Sequence, residues 1–271
     1  MIIIGEKING TRKSVARAIE ERNEAFIQDL ALKQVEAGAH YLDINAGTHP
    51  NQEPEDMVWL INTVQGVTDV TLCLDSANPH ALATGIKAVN KTPMINSLSG
   101  EKDRIDGVLP LAREHKTELV VLAMDDNGIP KTGEDRLDII RDVIDMTRQN
   151  DLPDENLFID PLITALATDT ESGNMALETM RRIKEEFPKV HLTAGLSNIS
   201  YGLPERSIVN QAFVALAIAS GLDSVIINPE DRDLRGILCA TELVLGKDNY
   251  CLNFIKAYRS GEIGVLQETK K

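Results

Sequence analysis

The order of apolar and polar segments predicts an α/β fold of the (β/α)8 or TIM barrel type. Eight short apolar runs of strand length alternate with longer amphipathic segments, which is the pattern of repeated βα units. Each run ends in, or within a few residues of, a carboxylate or a carboxamide. These runs and their polar residues are IIIGE with Glu6, YLDIN with Asp43 and Asn45, TLCLD with Asp75, PMIN with Asn96, LVVLAMDDN with Asp125 to Asn127, LFID with Asp160, HLTAGLSN with Asn198 and VIIN with Asn228. Because the active site of such a barrel lies at the carboxyl ends of its strands, these side chains should share one mouth.

The apolar runs themselves define the predicted strands, and the segments between them define the helices. The strands are expected over 2–5, 41–44, 70–74, 93–96, 119–123, 157–159, 190–194 and 223–227. Apolar positions at helical spacing predict helices over 14–21, 24–37, 53–65 and 79–89, a helix that begins after Ser99, and helices over 133–149, 172–187, 205–220, 231–245 and 253–258.

Turn-forming and helix-capping residues agree with several of these boundaries. Pro54 and Pro79 fall in first turns, where proline is tolerated, and Pro188 should end the helix before it. Gly38 is a plausible helix stop, and Ser99 offers an N-cap to the fifth unit. With no low-complexity linker and no shift in composition, residues 1–271 are expected to form a single domain.

Composition excludes several functional classes. The net charge of −14 disfavours binding to nucleic acid, and no stretch of about 18 apolar residues predicts a membrane span. The apolar start MIIIGEKING indicates a first strand rather than a signal peptide. Cys73, Cys239 and Cys251 are odd in number and lack CxxC spacing, so they are expected to be reduced core thiols of a cytoplasmic protein.

Asp75, Asn96 and Asp160 end strand runs and are the first candidates for binding a ligand. A carboxylate can accept two parallel N–H bonds from an amidine-like edge, such as the 2-amino-pyrimidinone edge of a pterin. An asparagine can match an adjacent donor and acceptor on the same ring. The alternative is that these aspartates only cap helices, as aspartate often does. A phosphate site would instead need Arg, Lys or a glycine-rich loop, and these are scarce here.

The most specific segment is GLSNISYGLP at 195–204, directly after the seventh predicted strand. Its Gly, Ser, Asn and Pro residues are common in turns, so an ordinary turn is the alternative interpretation. Its place at the barrel mouth favours a functional role. Arg206 follows near a helix start, where a cation is mildly unfavourable, so contact with the pocket is expected.

Together these motifs resemble a known family along nearly the whole chain. The segments IGEKIN, LDINAG, LCLDS, INS, FIDPL and GLSNISYGLP are similar to those of the pterin-binding methyltransferases. In particular they resemble the methyltetrahydrofolate:corrinoid protein methyltransferases, including the enzyme that acts on the corrinoid/iron–sulfur protein of anaerobic acetyl-CoA synthesis. The GLSN segment also resembles the folate module of cobalamin-dependent methionine synthase.

The resemblance implies a barrel, usually a homodimer, that holds a folate-derived ring in its mouth. It places Asp75, Asn96 and Asp160 on the pterin and Asn198 beside the ring nitrogen that carries the methyl group. Further substrate-binding positions that match the family are Ser197, Arg206, Glu6 and Asn9. The implied substrate is 5-methyltetrahydrofolate or tetrahydrofolate, and the methyl group moves to or from cobalt in one-carbon metabolism. An acetyl-CoA pathway would run the transfer towards cobalt, and an O- or N-demethylase system would run it towards tetrahydrofolate.

A chemical argument that does not depend on the resemblance also favours Asn198 as the catalytic residue. Transfer of the methyl group to cobalt(I) is a displacement with a poor amine leaving group, so electron density grows on the ring nitrogen. A donor placed at that nitrogen stabilises the transition state. Asparagine can donate there, or accept once the nitrogen is protonated, and it does not titrate. Since no strong acid is apparent in the predicted site, solvent is the expected proton source.

Missing motifs limit the remaining possibilities. The five histidines have no paired spacing, so no bound metal is predicted. No corrinoid-binding DxHxxG sequence occurs, so cobalamin is expected on a separate corrinoid protein. Tyr201-Gly202 stands where enzymes of the corrinoid/iron–sulfur protein tend to carry an amide, which leaves the identity of the partner open. A dihydropteroate-synthase-like condensing enzyme and a non-catalytic folate-binding barrel remain alternatives, the former disfavoured by the missing basic anion-binding motif.

Overall fold

The computed structural model describes residues 1–264, which form an eight-stranded parallel barrel surrounded by helices. The strands are β1 (Ile2–Asn9), β2 (Tyr41–Asn45), β3 (Thr71–Asp75), β4 (Met94–Ser99), β5 (Glu118–Leu122), β6 (Leu157–Asp160), β7 (His191–Leu192) and β8 (Ser224–Ile227). The helices are α1 (Lys13–Glu20), α2 (Glu24–Glu36), α3 (Glu53–Gln65), α4 (Pro79–Ile86), α5 (Lys102–His115), α6 (Gly133–Gln149), α7 (Ser172–Glu186), α8 (Arg206–Ala219), α9 (Arg232–Val244) and α10 (Leu252–Arg259).

Each strand pairs with the next along the chain, and β1 also pairs with β8. Between β7 and β8 the barrel closes through one parallel bridge, from Gly195 to Ile226, and the Ile226 amide donates to the Ala194 carbonyl at 3.0 Å. The predicted (β/α)8 fold is therefore confirmed. The predicted domain range of 1–271 extends into 265–271, which lies outside the described residues.

An apolar layer fills the interior of the barrel and forms the floor of its mouth. It consists of Ile4, Cys73, Met94, Val120 and Phe158, none of them more than 1% exposed. Cys73 pairs in register with Met94, and Val120 pairs with Phe158. Because side chains alternate along a strand, the residues two positions further on face the same interior, one layer nearer the carboxyl ends. Those residues are Glu6, Asp75, Asn96, Leu122 and Asp160.

Several boundaries differ from the sequence prediction for identifiable reasons. β1 continues to Asn9 instead of ending at residue 5, and its pairing register shifts between Gly5 and Ile8. α4 ends at Ile86 rather than near 89. Ala88 and Val89 lie beyond the helix and pack against the core, so their apolar side chains did not indicate further helix. β7 is only two residues long, because the chain turns at once into a 3₁₀ turn, Leu196–Ser200.

Two smaller predictions are wrong. Ser99 is not an N-cap: it is the last residue of β4, and its hydroxyl donates to Glu101 Oε2 at 2.7 Å. Of the three cysteines, only Cys73 is a buried core thiol, whereas Cys239 is half-buried and Cys251 is exposed. Cys251 lies in a short 3₁₀ turn after α9, Asn249–Cys251, in which no residue is buried. Within the described part of the chain, no helix has the length and apolar character needed to cross a membrane.

Candidate active site

One side of the barrel mouth is a connected set of carboxylates and amides, which we call the carboxylate–amide cluster: Asp43, Asn45, Asp75 and Asn96. Asn45 Nδ2 donates to Asp75 Oδ2 at 2.8 Å, and Asn96 Nδ2 donates to Asp43 Oδ1 at 3.3 Å. Asp75 and Asn96 are register partners on neighbouring strands. Strand pairing thus fixes three adjacent strand ends, β2, β3 and β4, as one recognition surface.

Burial sets the electrostatics of this cluster. Removal from water raises the pKa of Asp75. For Asp43, which is 3% exposed, burial and then the neighbouring Asp75 charge raise the pKa well above its ordinary value. Asp43 therefore favours its protonated form, while the Asn45 amide and the charge of Arg104 oppose the shift at Asp75. Burial thus raises the pKa of both carboxyl groups, and more strongly at Asp43 than at Asp75.

Asn45 Oδ1 is the atom of this cluster that could most readily bind a ligand. It is buried and has no hydrogen-bond partner among residues 1–264. A buried acceptor without a partner costs free energy, so such atoms at a mouth usually meet a ligand or water. With the Asp75 carboxylate beside it, the site offers adjacent acceptors to a ring edge rich in N–H groups.

Arg104 holds the ends of β3 and β4 in place from outside the cluster. Its guanidinium, on α5, donates to the carbonyl oxygens of Ser76 and Ser97, which directly follow Asp75 and Asn96 in the chain. The same cation lies close enough to lower the pKa of Asp75 against the effect of burial. Arg104 therefore supports both the position and the ionisation of Asp75.

Asp160 faces the mouth from β6, with its carboxylate held by the backbone. It is 8% exposed, and its Oδ1 accepts from the Leu162 amide at 2.8 Å. Burial raises the pKa of Asp160 to about 6, against the opposing effects of the Leu162 and Gly195 amides and of Arg136. Arg136 is itself buried and donates to the carbonyl oxygens of Pro161 and Leu162 at 2.9 and 2.6 Å, which fixes the chain after β6.

Asn198 lies in the 3₁₀ turn after β7, and its side chain folds back towards the end of that strand. A Cβ atom at Gly195 would lie 3.3 Å from Asn198 Nδ2, so glycine leaves the amide room there. Arg206 donates to the Ser197 carbonyl at 2.7 Å and to Ser200 Oγ at 3.0 Å. α8 therefore fastens the turn that carries Asn198, through the Ser197 carbonyl and the Ser200 hydroxyl.

The two predicted site residues on β1 differ in their surroundings. Glu6 Oε1 accepts from Arg12 at 3.0 Å, and burial raises the pKa of Glu6 against the charges of Arg12 and Arg206. Asn9 Oδ1 accepts from the amide and hydroxyl of Thr11 at 2.9 and 2.7 Å, so its carbonyl stabilises the turn after β1. Glu6 thus lies in the mouth within reach of Arg206, whereas the contacts of Asn9 are local.

Sequence reasoning placed Asp75, Asn96, Asp160, Asn198 and Glu6 at the carboxyl ends of their strands, and the structure brings them to that end. It also brings in Asp43 and Asn45, which the sequence placed at the mouth without naming them as ligand-binding residues, and Arg104, which the sequence did not assign to the site. For Asp43 and Asn45 the pattern was available, because the run YLDIN ends like TLCLD and PMIN. No local sequence pattern identifies Arg104 as a site residue, because its contacts are with backbone atoms 7 to 28 residues away.

The described residues contain no cluster of side chains arranged as a metal site. Within 1–264, no group of three or more His, Cys, Asp or Glu side chains is arranged to hold a metal ion. His49, the one histidine in a loop at the mouth, is exposed and accepts from the Asn51 amide at 3.4 Å.

Comparison with known proteins places the chain in a family. The model of the family described as "Pterin binding enzyme" matches residues 5–228. The chain therefore belongs to the pterin-binding enzymes.

Three individual proteins are similar to this chain over most of its length. The chain is 40% identical over 269 residues, 98% of its length and 99% of the relative's, to methylcorrinoid:tetrahydrofolate methyltransferase of Eubacterium limosum. It is 27% identical to methionine synthase of Mycobacterium tuberculosis (strain ATCC 25618 / H37Rv), covering 99% of this chain but 23% of that much longer protein. Among solved structures, dihydropteroate synthase of Xanthomonas albilineans matches with a TM-score of 0.71 at 20% identity over 92% of this chain and 93% of that one. At that identity the likeness shows the fold alone.

Proposed function

We propose that this protein is a methyltransferase that moves a methyl group between 5-methyltetrahydrofolate and the cobalt of a corrinoid protein. The observation that carries the proposal is the 40% identity, over almost the entire length of both chains, to the methylcorrinoid:tetrahydrofolate methyltransferase of E. limosum. The chemistry of the mouth agrees with it, because acid and amide side chains suit a nitrogen-rich heterocycle.

The carboxylate–amide cluster and Asp160 are the proposed pterin-binding groups. Asp75 and Asp160 accept N–H bonds from the ring, and Asn96 offers a donor and an acceptor side by side. Asn45 Oδ1, the buried acceptor without a protein partner, takes a further ring N–H. The apolar layer below them closes the barrel interior beneath the proposed ring site.

Asn198 is the proposed catalytic residue. As the methyl group leaves the ring nitrogen, the carbon–nitrogen bond breaks heterolytically, its electron pair stays on nitrogen, and the cobalt(I) electron pair forms the new carbon–cobalt bond. A donor held at the nitrogen stabilises this charge, and a proton then completes the amine. The reverse transfer passes through the same transition state, so the same residue serves it.

Ser197, Arg206 and Glu6 are proposed to support the methyl transfer indirectly, by helping to hold the Asn198 turn and the mouth in place. Arg206 holds the Asn198 turn through hydrogen bonds to Ser197 and Ser200. Its positive charge also acts to lower the pKa of Glu6. Asn9 is proposed to shape the first loop of the mouth, in line with its contacts to Thr11. The proton on the ring nitrogen is proposed to come from solvent.

The corrinoid is proposed to arrive on a separate protein, in the cytoplasm, without a bound metal on this chain. The chain contains no DxHxxG sequence with which to bind a corrinoid itself. The name of the E. limosum relative puts the methylcorrinoid first, which favours transfer towards tetrahydrofolate. The cysteines of the described chain are free thiols, as expected of a reducing compartment.

A homodimer is also proposed, through an apolar face on α8 and α9. Ile208, Leu216, Val244 and Leu245 are exposed there and line a groove whose remaining residues are alanines, Ile237, Gln211 and Thr241. No charged residue lines it, so it is a surface where two copies of net charge −14 can meet without bringing like charges together. Light scattering should show a dimer that Val244→Glu dissociates and that Leu32→Glu, on α2, leaves intact.

The direct test of the function is a methyl-transfer assay under anaerobic conditions. The protein is mixed with methylcobalamin and tetrahydrofolate, or with cobalt(I) cobalamin and 5-methyltetrahydrofolate, and the cobalt absorbance is followed. We expect protein-dependent conversion in both directions. Absence of conversion with free cobalamin and with corrinoid proteins alike would refute the proposal.

A further inference from the structure

Tyr201 is an exposed aromatic residue at the mouth that the fold itself does not use. It is 70% exposed. Apart from Leu32 on α2 and the residues from Ile208 onward, the exposed large apolar side chains among residues 1–264 are Ile129 and Tyr201. Both lie in loops that follow carboxyl ends of strands, at the end of the barrel where Asn198 stands. Exposed aromatic residues beside a site more often serve a partner than the core.

The ring of Tyr201 is nevertheless held in a defined place relative to Asn198. The Tyr201 amide donates to the Asn198 carbonyl at 3.1 Å, which closes the 3₁₀ turn. The Arg206 guanidinium, which also fastens that turn, lies 5.9 Å from the centre of the Tyr201 ring. Gly202 then takes a left-handed φ of +81°, and a Cβ there would meet the Cβ of Ala167 at 3.5 Å. The chain thus turns sharply after Tyr201 and packs on the β6–α7 loop.

We propose that Tyr201 is the contact residue for the corrin ring of the incoming corrinoid protein. This inference rests on the proposed function and names how its second substrate is held. For transfer, the cobalt must reach the methyl group beside Asn198. The corrin ring around the cobalt is broad, nearly flat and largely apolar, with amide groups at its rim, so it must cover the residues that flank Asn198.

The side chain of Tyr201 has the chemistry for that role. Its ring gives a rigid apolar surface at small cost in conformational entropy, and its hydroxyl can bond to a rim amide. Packing there also shields the cobalt from bulk water during transfer. Arg206 fixes the ring from the protein side, so the contact is formed in advance of docking.

The experiment compares Tyr201→Ser with Tyr201→Phe and with a matched control, Tyr250→Ser. Tyr250 is 91% exposed and follows α9, at the end of the barrel opposite the mouth. The probe is free methylcobalamin with tetrahydrofolate as acceptor, and initial rates give kcat and KM for each substrate. Calorimetry gives the dissociation constant of tetrahydrofolate, and light scattering gives the oligomeric state.

For Tyr201→Ser we expect the KM for methylcobalamin to rise by about tenfold or more, as for loss of an aromatic anchor. Its kcat, folate affinity, melting temperature and oligomeric state should stay near wild type, since the exposed ring stabilises little in the fold. Tyr201→Phe should keep most of the cobalamin affinity, and Tyr250→Ser should match wild type.

Four results would overturn the inference, and they are distinguishable. If Tyr201→Ser transfers methyl groups with an unchanged KM for methylcobalamin, Tyr201 does not contact the corrin. If the loss appears in folate affinity instead, the ring contacts the folate; if it appears in the oligomeric state, the ring contacts a second copy. A wild-type protein that transfers no methyl group at all would remove the proposed function, and this inference with it.

Discussion

The two sides of the barrel mouth are built in opposite ways. On the β2–β4 side, Asp43, Asn45, Asp75 and Asn96 stand at strand ends, half-buried or buried, and bond to one another. On the β7–α8 side, Asn198 and Tyr201 are exposed and stand on a short 3₁₀ turn that Arg206 fastens through the backbone. Strand ends are rigid and suit recognition of a ring, whereas a turn leaves side chains open to a second, large reactant. The mutational predictions below separate these two roles.

The largest expected effect is at Asn198. Asn198→Ala should lower kcat by ~10²–10³-fold, because removal of one donor from an electrostatic catalytic site costs that much. The dissociation constant of tetrahydrofolate should change by only a few-fold, since recognition lies on the strand ends. Single-turnover rates and calorimetry measure the two quantities.

Asn174→Ala, an exposed asparagine on α7, is the control for Asn198 and should behave as wild type. Equal losses in binding and turnover for Asn198→Ala would instead assign Asn198 to recognition. Unchanged methyl transfer would refute its catalytic role, and a protein that binds folate but transfers nothing would be a folate-binding barrel.

At Asp160 we expect one substitution to weaken folate binding and, at the same time, to stabilise the fold. Asp160→Asn removes an acceptor for two N–H bonds, so folate affinity should fall by about tenfold or more. At pH 7 the same variant should be more stable than wild type by up to ~3 kcal/mol, because burial raises the pKa of Asp160 from 3.8 to about 6. Calorimetry and urea unfolding measure the two effects.

The stability gain of Asp160→Asn has a defined pH dependence. The cost of ionising Asp160 is present in full above its folded pKa and fades as the pH falls from about 6 towards 3.8. The difference from wild type should therefore shrink over that window. A variant that is less stable than wild type at pH 7 would contradict the assignment of the raised pKa to burial.

The pH dependence of folate binding should report the same carboxyl group. As the pH falls through about 6, Asp160 gains a proton and loses its acceptor pair, so wild-type affinity should decline by at most about tenfold per pH unit. Asp160→Asn should flatten the profile near pH 6. A wild-type affinity that is constant between pH 5 and 7.5, measured anaerobically, would count against Asp160 as a ligand of the ring.

The smallest expected effect is at Arg206, which acts through another residue. Arg206→Ala frees the Ser197 carbonyl and Ser200 hydroxyl, so the turn should move and kcat should fall by about tenfold, as slight misplacement of a catalytic group does. Hydrogen exchange at 196–204 should quicken, and folate affinity should hold.

Arg148→Ala, which breaks an ion pair with Asp154 on the surface of α6, is the control for Arg206 and should leave both exchange and kcat unchanged. If Arg206→Ala instead weakens folate binding with kcat intact, Arg206 contacts the folate directly, as the sequence first suggested.

Much of this site could be predicted from the sequence because it follows the strand pattern. Asp75 and Asp160 are the last residues of apolar runs, so the two-residue alternation along a strand places them above an apolar layer at the mouth. The same pattern placed Asp43 and Asn45 of YLDIN at the mouth but did not single them out as ligand-binding residues. The local prediction failed at Ser99, where the side chain bonds to Glu101 and the helix starts later.

The sequence by itself determined the fold class, the ring of acids and amides, and the family to which the chain belongs, since these depend on local periodicity and on short motifs in order. Only the tertiary structure decided how those residues act on one another. It pairs Asn45 with Asp75 and Asn96 with Asp43, buries Asp160, and fastens the Asn198 turn with Arg206. The reason is physical: hydrogen-bond geometry and burial depend on which strand ends the closed barrel brings side by side, and burial is what shifts the pKa of each carboxyl group.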